Sequence, residues 1–70
     1  MNRVNVASSN LVSVGYDSLA NLLEIEFKGG SLYVYSGVPS YIHSNLMDAR
    51  SHGEYFASHI KNKYPTRRVM

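Results

Sequence analysis

The sequence predicts an α+β domain, a three-stranded antiparallel meander followed by two helices packed on one sheet face. Three observations predict it. Apolar and polar residues alternate with a period of two between Leu11 and Ser36, as in half-buried strands, and recur at three and four residues from Pro39 onward. A Gly29-Gly30 pair separates two alternating runs, as a hairpin turn requires. Pro39 and Ser51 stand where two helices would begin.

Taken in order, Leu11 to Asp17 sets Val12, Val14 and Tyr16 against Ser13 and Gly15, which reads as the first strand. Leu22 to Lys28 is the cleanest strand, with Leu23, Ile25 and Phe27 alternating with Glu24, Glu26 and Lys28. After the glycine pair, Ser31 to Ser36 returns. A two-residue turn at Gly29-Gly30 would pair Phe27 with Leu32 and Ile25 with Val34. It would therefore put Tyr33 and Tyr35 on the opposite face with Glu24 and Glu26. The first helix is expected from Pro39 to Ala49, with Val38, Ile42, Asn45 or Leu46, and Ala49 turned inward. Ser51 and Glu54 have capping-box spacing, so a second helix should start there, bury Phe56, Ile60 and Tyr64, and stop near Lys63 ahead of Pro65. Residues 3–7 are a candidate edge strand, while residues 1–7 and 66–70 are expected as flexible ends of one domain spanning 1–70.

Composition narrows the class. The chain has 70 residues, a mass of 7.9 kDa and no cysteine, so neither a disulfide nor a thiolate-bound metal braces its core. With 44% hydrophobic and 17% charged residues it is a folding composition and not a disordered one. No segment approaches the roughly 20 apolar residues that span a bilayer, and the start from Met1 to Asn10 has no apolar signal core. A cytoplasmic protein without membrane association is expected. The net charge of +2 is uneven, because residues 1–49 are net −2 and residues 50–70 net +4. That basic end suits an anionic partner.

Enzymatic signatures are weak. Ten serines and three histidines are present without a nucleophile elbow, and the serines fall in turns and caps. His52 and His59 lie about 10.5 Å apart along one helix, too far for one ion. A site built from His43 with Asp48 or Glu54 competes with solvated or tyrosine-stacked histidines. Glu24 and Glu26 resemble a glycosidase pair only in being two carboxylates on one strand, and alternating charge on a solvent face explains them. No cofactor, metal or catalytic residue is assigned. Two features invite binding. Tyr33 and Tyr35 form an aromatic pair that can stack bases, meet another subunit or pack within the chain. Arg50, Ser51 and Gly53 at the start of the second helix, continued by Lys61, Lys63, Arg67 and Arg68, form a candidate phosphate site, opposed by Glu54.

These residues resemble the KTSC domain, a small module named for its place at the C-terminus of some lysyl-tRNA synthetases. The resemblance covers Ser8 to Arg68. It rests on Val14-Gly15-Tyr16-Asp17, on Leu23 to Phe27 with the glycine turn, and on the Y-x-Y signature Tyr33-Val34-Tyr35 before Gly37-Val38-Pro39. It continues through Ala49, Ser51, Gly53 and Tyr55-Phe56, then from Ile60 by Tyr64-Pro65 to Arg67-Arg68. Glu54 departs from a basic or small polar residue, and Ala57 from asparagine. The resemblance implies a free-standing bacterial or phage/prophage member and RNA binding. Its rivals are a protein-interaction or homo-oligomeric module and a binder of a small nucleotide signal.

Overall fold

The computed structural model describes residues 1–70. Strands β1 (Arg3–Asn5), β2 (Leu11–Asp17), β3 (Leu22–Phe27) and β4 (Leu32–Ser36) are followed by helices α1 (Ser40–Asp48) and α2 (His52–His59) and by strand β5 (Thr66–Arg68). All five strands form one antiparallel sheet in sequence order. The central meander and its two helices follow the alternation in the sequence. The sheet is wider than three strands, because Arg3–Asn5 pairs with β2 and Thr66–Arg68 with β4, so both end segments supply an edge strand.

The β3–β4 register departs by one residue from the expected pairing. The loop holds three residues, Lys28 to Gly30: the Phe27 amide donates to the Ser31 carbonyl and the Gly30 amide to the Phe27 carbonyl. Gly29 and Gly30 both sit at φ +97°, a conformation that residues with a Cβ rarely adopt. The extra residue moves every β4 side chain to the other face. Ile25 lies opposite Tyr33 and Leu23 opposite Tyr35, whereas Glu24 faces Val34 and Glu26 faces Leu32. Tyr33 and Tyr35 are therefore inner-face residues, and the exposed aromatic face shared with the two glutamates does not form. A register shift between Leu11 and Ser13 likewise takes Val12 out of the simple alternation.

The inner face is buried by the helices. Leu11, Val14, Leu23, Ile25 and Tyr35 from the sheet meet Val38, Ile42, Leu46, Phe56 and Ile60, and seven core side chains, Leu23 and Ile60 among them, are essentially inaccessible. Asn45 points to solvent, so Leu46 alone takes that position in the α1 stripe. Pro39 is the N-cap of α1, not its first helical residue, with ψ 156°. At α2, Ser51 Oγ accepts from the Glu54 amide at 3.2 Å, but the Glu54 carboxylate does not return the bond. His52 Nδ1 donates to the Leu46 carbonyl at 2.8 Å and so ties the start of α2 to the end of α1. Helix α2 ends at His59, earlier than expected, where the Ile60 and Lys61 amides both donate to the Phe56 carbonyl. Asn62 then takes φ +62°, which asparagine tolerates, and turns the chain toward β5.

Candidate functional site

That turn closes one end of an open groove of about 350 Å³. Phe27, Tyr33, Tyr35 and Phe56 make its aromatic wall; Asn10, Lys61, Asn62 and Thr66 make its polar rim. The wall is rigid because its rings meet edge to face, at 5.7 Å between Phe27 and Tyr33, 5.2 Å between Phe27 and Phe56, and 5.6 Å between Tyr35 and Phe56. Tyr35 is only 4% exposed, yet its hydroxyl has no partner in the protein and is not sealed off, so it opens into the groove. Burial, and then the neighbouring Tyr33, push the Tyr35 phenol up to about 12. It stays protonated, a neutral hydrogen-bond donor, throughout the physiological range.

The rim is positioned from three directions. Asn10 is anchored by its carbonyl, which accepts from the Lys28 amide, and by its side-chain oxygen, which accepts from Ser8 Oγ at 3.3 Å. Gly53 on α2 makes room for it: a Cβ there would stand 2.6 Å from Asn10 Oδ1. Lys61 and Asn62 come from the turn after α2. Thr66 comes from β5, opposite Tyr35. Lys61 is exposed and pairs with no carboxylate, as do Lys28, Arg50, Lys63, Arg67 and Arg68; Arg3 alone forms ion pairs.

The residues of the expected phosphate site do not converge. Lys61 lines the groove; Arg68, opposite Tyr33 in the β4–β5 register, shares that face of the sheet but does not line the groove, and its Nε donates to the Met70 carbonyl at 3.1 Å. Arg67 instead lines a smaller hollow of about 290 Å³ on the outer face with Leu22, Val34 and Ser36. Arg50 and Lys63 are exposed and away from the groove lining. Ser51 caps α2, and Gly53 is taken up by its contact with Asn10, so the helix start is closed by the protein itself. Sequence reasoning missed Asn10, Asn62 and Thr66, which are joined only by the fold. The sole local signal was the asparagine between Lys61 and Lys63, a residue suited to a left-handed turn.

Elsewhere two histidines meet tyrosines: His43 is stacked on Tyr16 at 4.7 Å and His59 lies tilted against Tyr55 at 4.4 Å between ring centres. Burial lowers the pKa of His43. The Tyr64 phenol is raised by lost hydration and then by Tyr41 and Tyr55, which places these three phenols near one another on the helical side. On the outer sheet face, Arg3 reaches across to Glu24 at 2.9 Å and to Ser13 Oγ at 3.0 Å, and Ser13 donates to Glu26 at 3.0 Å. No group of His, Asp and Glu there or elsewhere is clustered to hold a metal ion. No helix is long and apolar enough to cross a membrane.

Residues 7–64 match the KTSC domain. The chain belongs to the KTSC domain family. It is similar to the crystal structure of a KTSC domain protein from Yersinia pestis, with a TM-score of 0.94 at 41% identity over 99% of this chain and 97% of that one. A small protein of Stutzerimonas stutzeri is 41% identical over 64 residues, 91% of this chain and 90% of the relative. A lysine–tRNA ligase of Trichormus variabilis is 41% identical over 49 residues, 70% of this chain but only 9% of that enzyme. The KTSC module therefore occurs both as a nearly free-standing chain and as a small part of a larger protein.

Proposed function

We propose that this KTSC domain is a non-enzymatic binding module that takes a phosphate-bearing ligand, RNA above all, at the groove beside Tyr33 and Tyr35. The observation that carries the reading is the pairing of an aromatic wall with an unpartnered cation, Lys61, in the largest concavity of the fold. Aromatic rings accept the face of any base, and a lysine accepts phosphate without sequence preference. The likeness to part of a lysine–tRNA ligase, an enzyme that acts on tRNA, adds support. Of the five basic residues expected along the C-terminal region, Lys61 alone lines the groove.

The test is fluorescence anisotropy with a labelled mixed-sequence single-stranded RNA. The reading expects binding that weakens with salt and is reduced in Lys61→Gln but not in Arg67→Gln. Equal loss in both variants, or no binding at low salt, overturns it. A second reading, a protein-interaction or homo-oligomeric module, is favoured by one feature, the Tyr41, Tyr55 and Tyr64 group, in which Tyr41 is 64% exposed. A purely monomeric protein at high concentration by light scattering removes its homo-oligomeric form.

A further inference from the structure

We infer that the groove is a single-nucleotide pocket: it takes one nucleoside monophosphate unit, base against the aromatic wall and phosphate at Lys61, and does not track a strand. The inference rests on the proposed reading of this groove and goes further, to the size and chemistry of what enters.

Size argues for one unit. At about 350 Å³ the groove lies near the lower end of the roughly 300–1,000 Å³ typical of small-molecule pockets. Its walls come from β4, from α2 and from the turn between α2 and β5, so the concavity is bounded by the sheet on one side and by Lys61 and Asn62 on another. An extended strand needs a track open at both ends with cations spaced along it. The cations do not supply one: Arg67 is on the outer face, and Arg50, Lys63 and Arg68 do not line the groove.

Chemistry argues for a nucleotide over a simple anion. A bare phosphate would leave four aromatic rings unused. The rim carries neutral groups suited to base edges and a sugar. The Asn10 side-chain nitrogen makes no bond within the protein, the Asn62 side chain makes none, and Thr66 Oγ1, which donates to the Tyr64 carbonyl at 2.9 Å, retains its acceptor lone pairs. An asparagine amide presents donor and acceptor side by side, the complement of a base edge. The Tyr35 hydroxyl, unpartnered at the base of the wall, donates to an acceptor on the same ligand. The outer face offers no equal site, because its carboxylates are taken up by Arg3 and Ser13 and its hollow has no aromatic ring.

The experiment uses the whole chain and five probes, the 5′-monophosphates of adenosine, guanosine, cytidine and uridine and a single-stranded hexaribonucleotide. Each is titrated into isotope-labelled protein and followed by amide shifts at several salt concentrations. The inference expects at least one monophosphate to move Asn10, Tyr33, Lys61, Asn62 and Thr66, and to displace the hexanucleotide from the same amides. It expects affinity for the hexanucleotide to fall only about threefold between 50 and 200 mM salt, as for about one neutralised phosphate; five would give about a hundredfold. Tyr35→Phe, which keeps the ring in the wall, should weaken the monophosphate without unfolding the protein. Tighter binding of the monophosphate than of the hexanucleotide identifies a free nucleotide as the source. The reverse order identifies a terminal or extruded nucleotide of a strand. Hexanucleotide binding with a steep salt dependence and no displacement by any monophosphate overturns the inference and leaves the proposed RNA reading standing. Absence of any binding overturns both.

Discussion

The two faces of the sheet handle polar groups in opposite ways. On the outer face, Arg3 spans to Glu24 and Ser13, and Ser13 donates to Glu26, so both carboxylates have a partner within the protein. On the inner face the helices cover an apolar core, but where α2 ends short of β5 the cover stops and leaves Lys61, Asn10, Asn62 and the Tyr35 hydroxyl around an aromatic hollow. The carboxylates of the outer face are satisfied within the protein, and Arg67 at its β5 edge is the one cation there without an ion pair. The groove keeps its hydrogen-bonding capacity and its positive charge for something else, and that contrast separates a structural use of polar residues from a binding use.

The contrast can be broken at several strengths. Removing the inner cover has the largest effect: Ile60→Ala, at a fully buried side chain, should destabilise by about 2–5 kcal/mol in urea unfolding. Lys61→Gln should leave stability unchanged and weaken RNA binding by roughly tenfold at low salt, the scale of a lost hydrogen bond to a charged group. Tyr35→Phe sharpens the comparison through pH. The native phenol titrates at about 12 and the unfolded one near 10, so its share of stability is complete below pH 10 and is lost as pH rises through 12. The variant should therefore lose part of its alkaline unfolding limb. His43 has the opposite sign: its folded pKa is lowered by burial, so its share of stability is present above about 6.5 and is lost as pH falls through the folded value. His43→Phe, which keeps a ring on Tyr16, should flatten the acid limb of a thermal-denaturation series. The smallest effect belongs to the outer face, where Arg3→Ala should cost about 1 kcal/mol or less and become milder in high salt, since Arg3 and both glutamates are partly solvated.

How much of this was legible depends on the range of the interaction that decides it. The three central strands and both helices were readable because period two and period three-to-four are local patterns, as in Leu23, Ile25 and Phe27 or in Ile42 and Leu46. The edge strands were faint, because three residues such as Arg3–Asn5 carry no alternation to read. Register failed for a sharper reason. Gly29-Gly30 suits a two-residue turn and a three-residue loop equally well, and one residue decides which face Tyr33 and Tyr35 occupy. The site was half legible: Tyr33, Tyr35 and Lys61 stood out as residue types. Arg67 could not be separated from Arg68 until pairing with Val34 and Tyr33 put them on opposite faces. Asn10 reaches the groove only because Gly53, more than forty residues later, leaves space for it.

The most direct test of the two-face account is a map of amide shifts on adding a single-stranded hexaribonucleotide to the labelled protein at low salt. The account predicts shifts at Asn10, Tyr33, Lys61, Asn62 and Thr66, with Ser13, Glu24 and Glu26 unmoved. Shifts centred on the outer face around Arg67 and Val34, with the groove silent, would contradict it.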